Sequence, residues 1–191
     1  MMNYHNLILA SKSPRRKELM QDCGFAFRSI SCDCDEVFDK DIPVEKAIEK
    51  IAYQKAKTVW DAFPDQLVLG CDTMVILDGE PLGKPKNRED ASRMLKQLSG
   101  STHRVISGVA ILGKDVHIVF HDITEVTFYD IEEDDLQQYL DSDEPYDKAG
   151  AYGIQGKGKL FVKEIHGDYY NVMGLPIAKV YRELKKLLKN Q

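Results

Sequence analysis

The stretch ASKSPRRK, residues 10–17, poses a chemical question. Ser13 has the character of a helix N-cap, Pro14 suits the first helical position, and Gly24 suits the stop. Yet Arg15, Arg16 and Lys17 crowd the first turn. That is the positive end of the helix dipole, where each cation is disfavoured by roughly 0.3–1 kcal/mol. A bound anion resolves the conflict: Ser11, Ser13, Arg15, Arg16 and the open N–H groups of a helix start all suit phosphate oxygens. Solvent screening of exposed charges resolves it too, so the stretch alone leaves both explanations open.

Other segments carry chemistry of a matching kind. GCDTMV sets Asp72 and Thr73 at the edge of an apolar run, and an acid there needs a partner or a metal ion. GKPKN holds Lys84 and Lys86 two apart, on one side of an extended chain. EPYDKAGAYGIQGKG mixes Glu144, Asp147, Lys148 and Gln155 with four glycines, so its backbone can approach a ligand closely. An acidic cluster, Asp33, Asp35 and Glu36, ends an early expected strand, and Asp168 precedes the last helix. Each segment by itself reads more simply as a solvated charge, a cap or a turn. Together they supply cations for phosphate, carboxylates for a divalent cation and a pliant loop.

Composition narrows the classes. The chain has 191 residues, 43% hydrophobic and 30% charged, as ordinary globular proteins do. Its net charge of −5 argues against a broad nucleic-acid or acidic-membrane surface. No run approaches the roughly 18 apolar residues of a membrane span, and LILA is too short for a signal-peptide core. The expected location is the cytoplasm, where Cys23, Cys32, Cys34 and Cys71 are reduced thiols. The five histidines show no metal-binding spacing. There is no GxxxxGK[ST] loop, no GxGxxG after the first strand and no GxSxG elbow.

The positioning elements follow from periodicity. Strands are expected at NLILA, FAFRSISCDCDE, QLVLGCDTMVILDGEPLGKP (turning at Asp78-Gly79), HRVISGVAILG, VHIVFHDITEVTFYD and KLFVKEIHG. Helices are expected after Ser13, over PVEKAIEKIAYQKAKTVWDAF, from Asn87 to Gly100, over IEEDDLQQYLDS and over LPIAKVYRELKKLLKN. The last presents Ile177, Val180, Tyr181, Leu184 and Leu187 on one side. Paired central strands predict an α/β chain with a mixed sheet and flanking helices, not a doubly wound parallel one. The whole of 1–191 is read as one domain.

In LILASKSPRRKEL, DCDE, IAYQKA, GCDTMV, GKPKNREDASRMLKQLSGSTHRVISGVAI, EPYDKAGAYGIQGKG and GDYYNVMGLPI, the sequence resembles the Maf (septum-formation inhibitor) family of nucleoside triphosphate pyrophosphatases. The stretches run in family order over almost the whole chain. The resemblance implies hydrolysis of a nucleoside triphosphate to monophosphate and pyrophosphate with a divalent cation, magnesium or manganese. It also implies a two-lobed fold with a central cleft, related to inosine triphosphate pyrophosphatases, and a homodimer. It places Asp72 as proton acceptor, and Arg15, Thr73 and Gln155 at positions tied to substrate choice. Arg16, Lys55, Lys84 and Lys148 fall where phosphate-binding cations are expected, and Glu36, Asp72 and Asp168 where the metal is. Gln155 suits a uracil or thymine edge, which offers an N3–H donor beside carbonyl acceptors, and so points to dTTP and UTP. A rival is a nucleotide-binding regulator of cell division that turns nothing over, which would need the cations but no water-activating acid.

Overall fold

The computed structural model describes residues 7–31 and 38–189. The apolar run Leu7–Ala10 forms β1, buried on both faces. It lies parallel to Arg28–Ile30 (β2) on one side and to Leu67–Leu77 (β3) on the other, as buried parallel strands read. Between them come Pro14–Asp22 (α1) and Val44–Ala62 (α2). Ser13 caps α1 as expected, its Oγ accepting from Arg16 N–H, and Gly24 follows the end with φ +73°. Asp78 and Gly79, at φ 51° and 85°, turn β3 onto antiparallel Glu80–Leu82 (β4).

Arg88–Leu98 (α3) starts at Asn87, which accepts from Asp90 N–H. Thr102–Gly113 (β5) and Val116–Phe128 (β6) follow, then the acidic Glu133–Leu140 (α4). Val162–His166 (β7) pairs antiparallel with β6. Tyr169–Met173 (α5) and Ile177–Lys189 (α6) complete the described chain. The strands bond in the order β2-β1-β3-β5-β6-β7, with β4 on β3, a mixed sheet with flanking helices. Among the described residues no helix is long and apolar enough to cross a membrane.

Three expectations need correction. Among the described residues the second strand holds only Arg28–Ile30, the residues that find partners on β1, and the expected stretch Cys32 to Glu36 lies outside the described residues. KLF of the last expected strand lies in the 3-10 segment Lys157–Phe161. Phe161 is buried there against Phe128 and Tyr139 while its neighbour Leu160 is 75% exposed. Asp168 precedes the short α5, not the last helix.

The chain divides into two compact units. Unit one comprises the described residues up to Asp72, then Ser107–Asp122, then those from Gly174 onward. Its core joins Ile8, Ala10, Val68 and Leu112 to Ala52, Ala56 and Val59 of α2. This helix lies so close to the strands that glycines are required beneath it. A Cβ on Gly70 would stand 2.5 Å from Ala52 O, and one on Gly108 2.5 Å from Ile48 O.

Unit two comprises Thr73–Ile106 and Ile123–Met173. Its centre is aromatic: Phe128 meets the rings of His103, Tyr152 and Phe161 edge-on or tilted. His103 is 1% exposed, and its Nε2 pairs with the Tyr152 hydroxyl at 2.8 Å. Burial pushes its pKa down to about 4.

Two outcomes follow from this packing. Gly70→Ala forces α2 off the sheet, and overpacking of this kind costs about 1–3 kcal/mol. Urea unfolding will show the loss, and an unchanged midpoint would mean that α2 shifts freely. His103 gives a pH dependence of defined sign. Its folded pKa lies near 4 against the ordinary histidine value of 6.5, so between these values the unfolded chain binds the extra proton. Stability is therefore full above about pH 6.5 and falls by about 3 kcal/mol in all as pH drops to 4. Urea midpoints of wild type and His103→Gln measure this, and an equally steep acid loss in both would exclude His103 as its source.

Candidate active site

Alternation along β3 sorts its residues onto two faces. Gly70 and Asp72 share the face that α2 covers, while Cys71 points the other way. Because α2 touches β3 at Gly70, its residue Lys55 reaches Asp72: Nζ donates to Oδ1 at 2.6 Å. Both side chains are nearly buried, 11% and 9% exposed. Such a pair is expensive to break from either side, since removal of one charge strands the other.

A second knot lies on the opposite face. β1 and β3 run in parallel register, Ala10 beside Gly70, so the chain leaves β1 at Ser11 next to Cys71. Arg16, from the first turn of α1, reaches back over this point. Its Nη1 donates to Cys71 O at 2.9 Å and to Ser11 Oγ at 3.4 Å, and its Nε to Gly174 O at 2.7 Å. The buried Cys71 thiol donates to the same Gly174 carbonyl at 3.3 Å. Ser11 Oγ also accepts from Ser13 N–H. Unit one thus gathers Ser11, Ser13, Arg16, Lys55 and Asp72 around the Cys71–Asp72 step, with Arg15 half-buried on the same helical turn.

Unit two holds Thr73, Lys84, Lys148, Gln155 and Asp168. Thr73 follows Asp72 along β3 and is half-buried. Gly150 N–H donates to Gly83 O at 3.1 Å, which brings the Lys84 segment beside the loop that carries Lys148. Lys84 is exposed. Lys148 Nζ donates to Glu144 O at 2.7 Å and to Asp147 Oδ1 at 2.5 Å. Gln155 is exposed at a glycine-flanked turn. Asp168 has its Oδ1 accepting from Tyr170 N–H, and its backbone is tied to Thr124 Oγ1. That is the hydrogen bonding of a helix N-cap, here of α5. Glu36 lies outside the described residues. Among the described residues no three histidine, cysteine or acidic side chains converge as a metal cluster.

Sequence reasoning assigned no role to Glu144. Its carboxylate accepts from Lys157 N–H at 2.8 Å, Gly158 N–H at 3.1 Å and the Tyr139 hydroxyl at 3.0 Å. Partial burial works against ionisation, yet the N–H groups of Gly158 and Lys157 and the Tyr139 hydroxyl outweigh it, holding the pKa below the usual glutamate value. The two N–H donors lie thirteen and fourteen residues beyond the carboxylate, past any local spacing rule. An acid within the run DSDEPYD, just before a glycine-rich loop, was the only available signal.

Residues 6–187 match the family described as Maf-like protein. A dTTP/UTP pyrophosphatase of Bacillus velezensis is 51% identical over 180 residues, covering 94% of this chain and 95% of that protein. One from Bacillus cereus is 46% identical over 184 residues, covering 96% and 91%. Among solved structures, the Ham1 protein of Staphylococcus aureus matches with a TM-score of 0.52 at 17% identity, covering 93% of this chain and 98% of that one. The last likeness concerns the fold alone.

The buried ion pair makes a sharp energetic prediction. Lys55→Met strands the Asp72 carboxylate and destabilises by about 3–5 kcal/mol, the scale of a broken buried pair. Asp72→Asn costs less, because the amide oxygen still accepts from Lys55. In the double variant most of the Lys55→Met loss is recovered. Chemical denaturation of the four proteins completes the cycle, and additive losses would mean that the pair is not an energetic unit.

Proposed function

The chain belongs to the Maf-like protein family, and on that premise we propose that it is a nucleoside triphosphate pyrophosphatase acting on dTTP and UTP. The observation that carries the reading is the Lys55–Asp72 pair adjoining the Arg16–Ser11 knot: a buried acid beside cations and a helix N-terminus. In the reaction, water attacks the α-phosphorus, the bond from that phosphorus to the bridging oxygen breaks, and pyrophosphate leaves. Asp72 accepts the proton of the attacking water, and Lys55 orients its carboxylate. Arg15, Arg16, Ser11, Ser13, Lys84 and Lys148 offset negative charge on the phosphates, with Arg16 held in place by the carbonyls of Cys71 and Gly174. Thr73 and Gln155 contribute to substrate choice.

A divalent cation, magnesium or manganese, is part of the proposal. The donor chemistry suits it, since hard carboxylate oxygens such as those of Asp72 are what these ions take. Asp72 and Glu36 would hold it, with Asp168 as a third carboxylate. When bound, it neutralises phosphate charge. The family resemblance also supports a homodimer. The non-catalytic regulator is not favoured: its discriminating feature was the lack of a water-activating acid, and the relatives compared above are named as enzymes.

Base preference follows from hydrogen bonding. One glutamine amide pairs with the N3–H and a carbonyl of uracil or thymine. Guanine presents two adjacent donors and leaves one unpaired, worth about tenfold to a hundredfold in discrimination. Pyrophosphate release with dTTP, UTP, GTP and 7-methyl-GTP, in magnesium or manganese, tests this. dTTP and UTP should be the good substrates, and Asp72→Asn should lose turnover while still binding nucleotide. Faster hydrolysis of 7-methyl-GTP would overturn the pyrimidine assignment, and near-normal turnover by Asp72→Asn would remove it from the mechanism.

A further inference from the structure

We infer that Glu144 is the positioning residue for base recognition, its carboxylate holding the turn 153–158 in the shape that presents Gln155 to the base. This rests on the reading of Gln155 given above. The sequence GIQGKG invites comparison with a phosphate-binding loop, since three glycines let backbone N–H groups close around an anion. Here the anion belongs to the protein. Glu144 Oε2 takes Lys157 N–H, and Oε1 takes both Gly158 N–H and the Tyr139 hydroxyl. The Tyr139 oxygen in turn accepts from Gly153 N–H at 3.1 Å. The turn is therefore fastened at its start through Tyr139 and at its end directly, and Gln155 stands between the fastenings.

The glycines record how tightly this is built. A Cβ on Gly156 would fall 2.2 Å from both carboxylate oxygens of Glu144. One on Gly158 would fall 2.8 Å from Gly153 O, and one on Gly153 2.6 Å from Lys148 Cε. Gly156 has φ −89°, outside the left-handed region that favours glycine, and what it supplies is space beside the carboxylate. Upstream, Tyr152 is anchored independently by His103. Loss of the carboxylate therefore frees the segment after Tyr152, where Gln155 sits, and leaves the aromatic core closed.

The test uses the full-length protein and kcat/KM for dTTP and GTP. Glu144→Gln keeps one acceptor but sets an amide NH2 against one of the N–H donors. The dTTP/GTP preference should fall at least about tenfold, the scale of one lost charge-assisted contact, with the loss in KM for dTTP exceeding that in kcat. Gly156→Ala should do the same in wild type, because its methyl displaces the carboxylate. In a Glu144→Ala background the methyl finds room, so Gly156→Ala should add little. The Gly156 cycle decides the matter if Glu144→Gln does not fold. Retained preference with only a lower melting temperature or kcat would reduce Glu144 to a structural role, as would additive effects. If wild type prefers dTTP and the variants keep that preference, this inference alone fails. If wild type hydrolyses no triphosphate, the functional reading fails and this inference with it.

Discussion

The close approach of α2 to the strands beneath it is the constraint on which unit one depends. Helices pack on sheets through side chains, and here that spacer is missing at two points: Gly70 and Gly108 place no atom between the strand backbone and the helix. The contact sets how far Lys55 must reach, and Asp72, two residues beyond Gly70, is within that reach. A bulkier strand residue would hold the helix away and leave a buried acid without its cation. The same two glycines thus serve both the apolar core and the polar pair.

Arg16 resolves the conflict at the start of α1. A cation at a helix N-terminus is opposed by the dipole, yet Arg16 does not rest there alone. Its guanidinium lies against the carbonyl oxygens of Cys71 and Gly174, whose partial negative charges offset the dipole. A planar fork with several donors can engage acceptors from different segments at once, which a lysine ammonium does less well. The side chain therefore ties α1, β3 and the turn before α6 together within unit one.

Unit two meets a related demand by other means. Its glycine-rich turn has many polar backbone groups and little side chain to hold it. An internal carboxylate gathers the N–H groups, and the Tyr139 hydroxyl extends that hold to the turn's beginning. Fold and local order are linked here by one acid whose N–H donors lie thirteen and fourteen residues further along the chain.

Short-range physics made much of this protein legible from its residues. Ser13 and Asn87 as caps, Asp78-Gly79 as a turn and the apolar spacing of α2 and α6 depend on neighbours within a few positions, so the chain itself determined them. Family-specific stretches of the sequence likewise mark Asp72, Arg16 and Lys55. The short extent of β2 and the 3-10 course of Lys157–Phe161 were not legible, because they depend on which strand lies alongside and which ring fills the core. Nor was the partner of any long-range hydrogen bond. That Lys55 faces Asp72, that Arg16 spends donors on Cys71 and Gly174, and that Glu144 fills the space beside Gly156 were decided only by tertiary structure. A hydrogen bond needs its two atoms within about 3 Å, and only the packing of distant segments brings these together.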